Sequence, residues 1–178
     1  MLMSHNELVE IVERGVITNV KPEAINAASI DIHLGTEIII ESYEGGTIDY
    51  RSRQPFKNMV GNLDPDLGFI LKPGQFILAQ SAEVFNLPDN ISAEYKLKSS
   101  MARIGLEHLN AGWCDAGWNG SVLTLEFKNM LQYHSIRIRP GDSIGQMVFF
   151  KHRRVPDKAS YATKGRYNGD KTVSTIKE

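Results

Sequence analysis

Cysteine is nearly missing: the 178 residues hold one, Cys114. A lone thiol excludes an intrachain disulfide and fits a reducing compartment. Long apolar runs are missing too, so nothing reaches membrane-spanning length. The opening "MLMSHNELVEIVERGVI" carries acids among its apolar residues, unlike a signal peptide, and a cytoplasmic protein is expected. Neither sign of charge dominates. Twenty Lys and Arg stand against 21 Asp and Glu, interspersed, which leaves no polybasic field for nucleic acid or an anionic membrane. The expected partner is a small molecule. Without a charge block or low-complexity tract there is no reason to divide the chain, so one domain over 1–160 and a tail over 161–178 are expected.

What is present begins with a helix signal. Ser4 and Glu7 form an S-x-x-E capping box, Leu8, Val9, Ile11 and Val12 recur at helical spacing, and Gly15 stands where the helix would stop. From "IDIHL" onward the period changes to two, with Ile30, Ile32 and Leu34 alternating with Asp31 and His33. Two segments, "FILKPGQFILAQ" (69–80) and "IRIRPGDSIGQMVFF" (136–150), each place Pro-Gly between apolar runs, and both predict hairpins. "NLPDNI" (86–91) is a further turn. Strands punctuated this often predict an antiparallel sandwich or barrel. Residues 42–68, rich in Gly, Asp and Pro, predict a long excursion that caps a neighbour. The tail "YATKGRYNGDKTVSTIKE" has no periodicity and leaves two readings open, a disordered end or a lid over an anionic ligand.

The chemistry concentrates in "KSSMARIGLEHLNAGWCDAGWNGSVLTLEF" (98–127). Strand alternation sends Leu123, Leu125 and Phe127 to one face and Val122, Thr124, Glu126 and Lys128 to the other, so Glu126 is either an exposed strand residue or a site carboxylate. Ser99, Ser100 and Arg103 are suited to phosphate oxygens, and equally to water. Asp115 sits at a Gly-rich bend, where it could simply form the turn. The five histidines, His5, His33, His108, His134 and His152, are scattered without metal-ligand spacing, and each reads as solvated or hydrogen-bonded.

"INAASIDIHLG", "KSSMARIGL", "NAGWCDAGWNGSVLTLEF", "RPGDSIGQMVF" and "SYATKGRYNG" resemble, in order and spacing, the dCTP deaminase and dUTPase superfamily. The resemblance implies an all-β, mainly antiparallel distorted jelly-roll or β-barrel with a short N-terminal helix and a flexible C-terminal tail. It also implies a homotrimer with nucleotide sites shared between subunits, and Mg²⁺ arriving with the triphosphate. Zinc deaminases need H-x-E with P-C-x-x-C, which one cysteine cannot supply. Water is then activated by a side chain. By resemblance Glu126 is the general acid/base, since burial tunes a carboxyl group to take and return a proton. The carbonyl near Ala111 orients water, the backbone at Thr124 and Leu125 holds the base, and Asp115 binds the 3′-hydroxyl. Residues Lys98, Ser99, Ser100, Met101, Ala102 and Arg103 serve substrate and site, with Lys98 and Ser100 toward phosphate. Gln146, Tyr161, Arg166 and Asp170 are implied triphosphate and tail contacts.

"AGWCD", with Gly112 and Trp113, resembles the dUMP-forming pattern A-G-[FW]-x-D more than the A-H-R-x-D of deaminases that release dUTP. Three departures stand against it. The step from Arg103 to Asp115 is one residue short, near the segment where the family senses dTTP. Asn110 replaces the usual Thr, and Asp170 replaces Gln. The alternatives are therefore a simple dCTP deaminase, a dUTPase, or a silent nucleotide-binding regulator.

Overall fold

The computed structural model describes residues 1–177. Helix α1 (His5–Glu13) starts at Ser4, whose backbone N–H donates to Glu7 Oε2 at 2.9 Å, and buries Leu8 and Ile11. Gly15, at φ +72°, then turns the chain into β1 (Ile17–Thr18).

The strands that follow are β2 (Ile30–Glu41), β3 (Asn58–Asn62), β4 (Phe69–Leu71), β5 (Phe76–Asn86) and β6 (Ile91–Leu97). A short helix α2 (Ser99–Arg103) leads to β7 (Leu106–His108), β8 (Trp113–Cys114), β9 (Asn119–Asn129), β10 (Ile136–Ile138) and β11 (Ser143–Lys151). Nine strands form one curled sheet in the order β7-β9-β5-β2-β11-β6-β8, with β1 added to β5 and β3 to β2. Every pair is antiparallel. One continuous core, including Ile30, Ile32, Leu125, Phe127 and Phe149, fills the interior.

Neither predicted hairpin closes on itself. Both turns do form: Gln75 N–H donates to Lys72 O at 3.0 Å and Asp142 N–H to Arg139 O at 3.1 Å, with Gly74 and Gly141 at positive φ. Yet β4 pairs with β10, Ile70 opposite Arg137, in a separate two-stranded sheet. The two Pro-Gly turns are corners that carry the chain from this ribbon into β5 and β11.

The excursion over 42–68 contains β3, which extends the outer half of β2, and leaves Tyr43, Ile48, Tyr50, Val60 and Leu67 exposed.

Strand β5 carries a bulge between Gln80 and Val84 in its pairing with β9. Ser81 Oγ there accepts from Leu123 N–H (2.9 Å) and donates to Glu83 O (2.8 Å), joining the bulge to β9. Glu83 is turned inward, fully buried, and its carboxylate accepts from His33 N–H while lying 2.7 Å from His33 Nδ1. Burial raises the Glu83 carboxyl above its ordinary pKa, and the His33 bonds only partly oppose that.

The described part of the tail, to residue 177, is packed against the sheet. Helix α3 (Tyr161–Lys164) is capped by Ser160, whose hydroxyl accepts from Ala162 N–H and donates to Asp89 at 2.6 Å. Beyond it Tyr167 O accepts from Trp118 Nε1 (3.0 Å) and Ser121 Oγ (2.9 Å), and Asp170 O from Val122 N–H (2.8 Å). Val173 is buried beside Ile39 and Leu78, its N–H donating to Gln80 Oε1 at 2.9 Å.

Candidate active site

Alternation along β9 holds where it matters. Leu125 and Phe127 are fully buried on the core face, while Thr124 and Glu126 look the other way and are half-buried. They open onto a cavity of about 500 Å³. Its walls carry Ala111, Trp113, Asp115, Thr124, Glu126, Tyr161 and Asp170, and its apolar floor comes from Leu78, Trp118, Val122 and Leu123. A volume of this order suits a nucleoside-sized ligand.

Glu126 does not stand alone. Its Oε2 lies 3.1 Å from His108 Nε2, with the histidine nearly fully buried. The imidazole is wedged between two rings, Tyr95 at 4.5 Å between centroids and Phe127 edge-on at 5.7 Å. Pairing of β7 with β9, His108 opposite Phe127, puts the histidine there. Also on the crevice lining, the exposed Asp115 accepts at Oδ1 from Trp113 Nε1 at 2.9 Å. Cys114 next to it is fully buried, and burial pushes its thiol far above the ordinary value, so it is a neutral packing group. Burial likewise raises the Tyr161 hydroxyl. Asp170 is tied to Lys177 and to Ser174 Oγ (2.9 Å), and Lys177 lies 5.5 Å from the centre of the Tyr167 ring.

The remaining residues expected from the sequence lie elsewhere. Leu125 points into the core, and only its backbone is near the cavity. Gly112 is buried, its carbonyl accepting from Tyr95 N–H at 2.8 Å, and a side chain there would strike the Tyr95 backbone. Lys98 is bound to Asp31 (2.5 Å) and Ser143 Oγ (3.0 Å). Burial works to raise the Asp31 carboxyl, but the bonds from Lys98, Asn26 and Ser143 outweigh it and leave it below its usual value. Ser99, Ser100 and Ala102 are exposed on α2, while Met101 packs toward the core. Arg103 Nε donates to Ser99 Oγ at 3.3 Å, and its side chain lines a second hollow of about 420 Å³ with Ile104, His134 and Arg137. Gln146 accepts from Ser29 Oγ at 3.2 Å, and Arg166 is exposed. Among the described residues no three His, Cys, Asp or Glu side chains are grouped to hold a metal ion.

Sequence reasoning missed Tyr167, which lines the crevice, and His108 and Tyr95, which stack behind Glu126. The only signal for His108 was its place on the strand beside Glu126.

Fold and crevice together define a mainly antiparallel, curled half-barrel with Glu126 on a crevice wall and the His108 imidazole beside it. Residues 2–152 match the family model described as dCTP deaminase-like, and the chain belongs to that family. It is 38% identical over 154 residues to "dCTP deaminase, dUMP-forming" of Sulfurihydrogenibium sp. (85% of this chain, 83% of the relative). It is 33% identical over 180 residues to the protein of that name from Persephonella marina, covering 99% and 97%. The crystal structure of 2′-deoxycytidine 5′-triphosphate deaminase from Agrobacterium tumefaciens superposes with a TM-score of 0.65 at 22% identity. That match covers 83% of this chain and about half, 48%, of the other, and it shows the fold.

Proposed function

We propose that the protein hydrolyses dCTP at cytosine C4 and cleaves the triphosphate, giving dUMP, ammonia and pyrophosphate. Family membership and the names of the relatives support the reaction. The single observation that carries it is the placement of Glu126 in the crevice, on a lining shared with Ala111, Thr124 and Asp115. Glu126 takes a proton from water as its oxygen bonds to C4 and passes it to N3, then takes the second proton from the new C4 hydroxyl and gives it to the amino group, which leaves as ammonia as the C4 carbonyl forms. The carbonyl near Ala111 orients that water, the backbone at Thr124 and Leu125 holds the base, and Asp115 receives the 3′-hydroxyl. With one cysteine the chain cannot build the zinc site of other nucleobase deaminases.

What the crevice lining lacks supports subunit sharing. Lys98, Ser99, Ser100 and Arg103, suited to phosphate and to the reacting centre, are not on the walls of the Glu126 crevice. In a homotrimer a neighbour's α2 would supply them. Exposed Ile104, Leu109, Trp113 and Met130 around these segments give such an interface its apolar surface. Gln146 and the tail residues Tyr161, Arg166 and Asp170 would complete the triphosphate end. Mg²⁺ fits the hard oxygen donors there, phosphate together with Asp170, and offsets the charge of the triphosphate when bound. We place the enzyme in the cytoplasm, with 1–160 as the catalytic domain and 161–178 as its lid. No helix is long and apolar enough to cross a membrane among the described residues.

Incubation with dCTP and product analysis tests the reading. Ammonia with pyrophosphate and dUMP is the expected result. Ammonia with dUTP would reduce the protein to a simple deaminase, and pyrophosphate from dUTP alone would make it a dUTPase. Binding without turnover would leave a regulator.

A further inference from the structure

We infer that Tyr95 is a positioning residue for Glu126, acting by fixing the tilt of the His108 imidazole, an inference that rests on the proposed deamination. Tyr95 and Glu126 both adjoin the His108 ring, and each of the three has a buried polar atom without a hydrogen-bond partner: Tyr95 Oη, His108 Nε2 and Glu126 Oε2. Nε2 and Oε2 are 3.1 Å apart but misaligned, so a modest rotation of the ring decides whether the contact becomes a bond. Two aromatic rings pack on the imidazole and limit that rotation, Phe127 at its edge and Tyr95 tilted 46° to its plane.

The fold makes specific room for this tyrosine. A Cβ on Gly145 of β11 would fall 2.1–2.3 Å from the ring and hydroxyl of Tyr95, and one on Gly112 would fall 2.7 Å from its carbonyl oxygen. Gly112 lies between Ala111 and Trp113, both on the crevice wall, so Tyr95 also fixes the backbone beside the water-orienting carbonyl. Burial, with Glu126 and Glu83 adding to it, raises the hydroxyl far above its ordinary value, and it stays a neutral donor at any working pH. The hydroxyl has no hydrogen-bond partner, so it is the ring of Tyr95, packed on the imidazole, that acts on His108.

Other titratable groups face this cluster. Glu83 approaches from β5 with His33 of β2 beside it, and Cys114 and Asp115 come from β8 and the turn after it. Tyr161, Tyr167 and Asp170 face the crevice from the tail. A change confined to the Tyr95 hydroxyl leaves all of them in place.

Tyr95→Leu removes the ring that packs on His108, and Tyr95→Phe keeps it. In Tyr95→Leu kcat for ammonia release from dCTP should fall about tenfold with KM within about twofold, the scale of a misplaced catalytic group, while Tyr95→Phe keeps both. An unchanged kcat in Tyr95→Leu, or an equal loss in Tyr95→Phe, would overturn the assignment. A substrate-free readout separates this from the deamination reading. In crystal structures the His108 ring should be rotated relative to Glu126 in Tyr95→Leu and keep its wild-type tilt in Tyr95→Phe. An unrotated ring in Tyr95→Leu overturns the coupling. If the ring rotates while the wild type releases no ammonia from dCTP, the deamination reading falls and the coupling stands.

Discussion

The Glu126 crevice and the α2 shoulder are close in sequence and opposite in construction. In the crevice the polar groups stand on or beside strands: Glu126, half-buried, projects from β9 with the buried His108 alongside, and the exposed Asp115 is bonded by the Trp113 indole. On the shoulder Ser99, Ser100 and Arg103 stand in water on a five-residue helix, and Arg103 bonds only its own Ser99. A half-buried carboxylate without its substrate is tolerable because its surroundings are already arranged, whereas exposed arginine and serine acquire fixed positions only against a partner. The contrast argues that the chain folds one half of a site in its interior and offers the other half outward.

The sharpest way to break this contrast is to remove the carboxylate. Glu126→Gln should cut ammonia release by about 10²- to 10⁴-fold while dCTP binding by calorimetry changes little. Retained turnover would return Glu126 to the status of an ordinary strand residue. Mixing tests the two halves together. When Glu126→Gln and Arg103→Ala chains, each inactive, are co-refolded in equal amounts, a shared site needs Glu from one chain and Arg from its neighbour. Random assembly gives about a quarter of wild-type activity in a closed ring of head-to-tail interfaces. No recovery would mean that each chain completes its own site.

Smaller effects probe how firmly the crevice is held. Val173→Ala, which weakens the anchor of the tail, should speed proteolytic cleavage after Lys171 by about tenfold, from the apolar burial of roughly two methyl groups. Smallest is the buried Glu83. Its folded-state pKa is raised, so the native protein binds more protons than the unfolded chain above the ordinary value near 4.5. That contribution is full below the unfolded pKa and is lost as pH rises through the folded one. Glu83→Gln removes the titration, and its stability relative to wild type by urea unfolding should improve between pH 4.5 and 7.5.

What could be read from the sequence was local. The capping box of α1 and the alternation that separates Leu125 from Glu126 depend on neighbours within four residues, and both are as expected. Pro73-Gly74 and Pro140-Gly141 made their turns for the same reason. The strands leaving those turns did not pair with each other, because β4 and β10 find partners about 65 residues apart by covering a shared core, which no turn motif specifies. The tail misled in a related way, since composition cannot show that Trp118 and Gln80 wait to bind its backbone. His108 was invisible because the chemistry of a histidine is set by what surrounds it, and Tyr95 carried no motif at all.

Val173 gives the tail a far fastening, seated with Ile39 and Leu78 in an apolar cluster of its own, while Ser174, Thr175 and Ile176 beyond it line the crevice. Were the tail to open as the proposed lid, unseating that one valine would cost about 1.5–3 kcal/mol, so shut molecules would outnumber open ones by roughly ten- to a hundredfold before any nucleotide arrives. A drawbridge with that bias would drop often enough to admit a substrate on the millisecond scale, yet would spend most of its time raised.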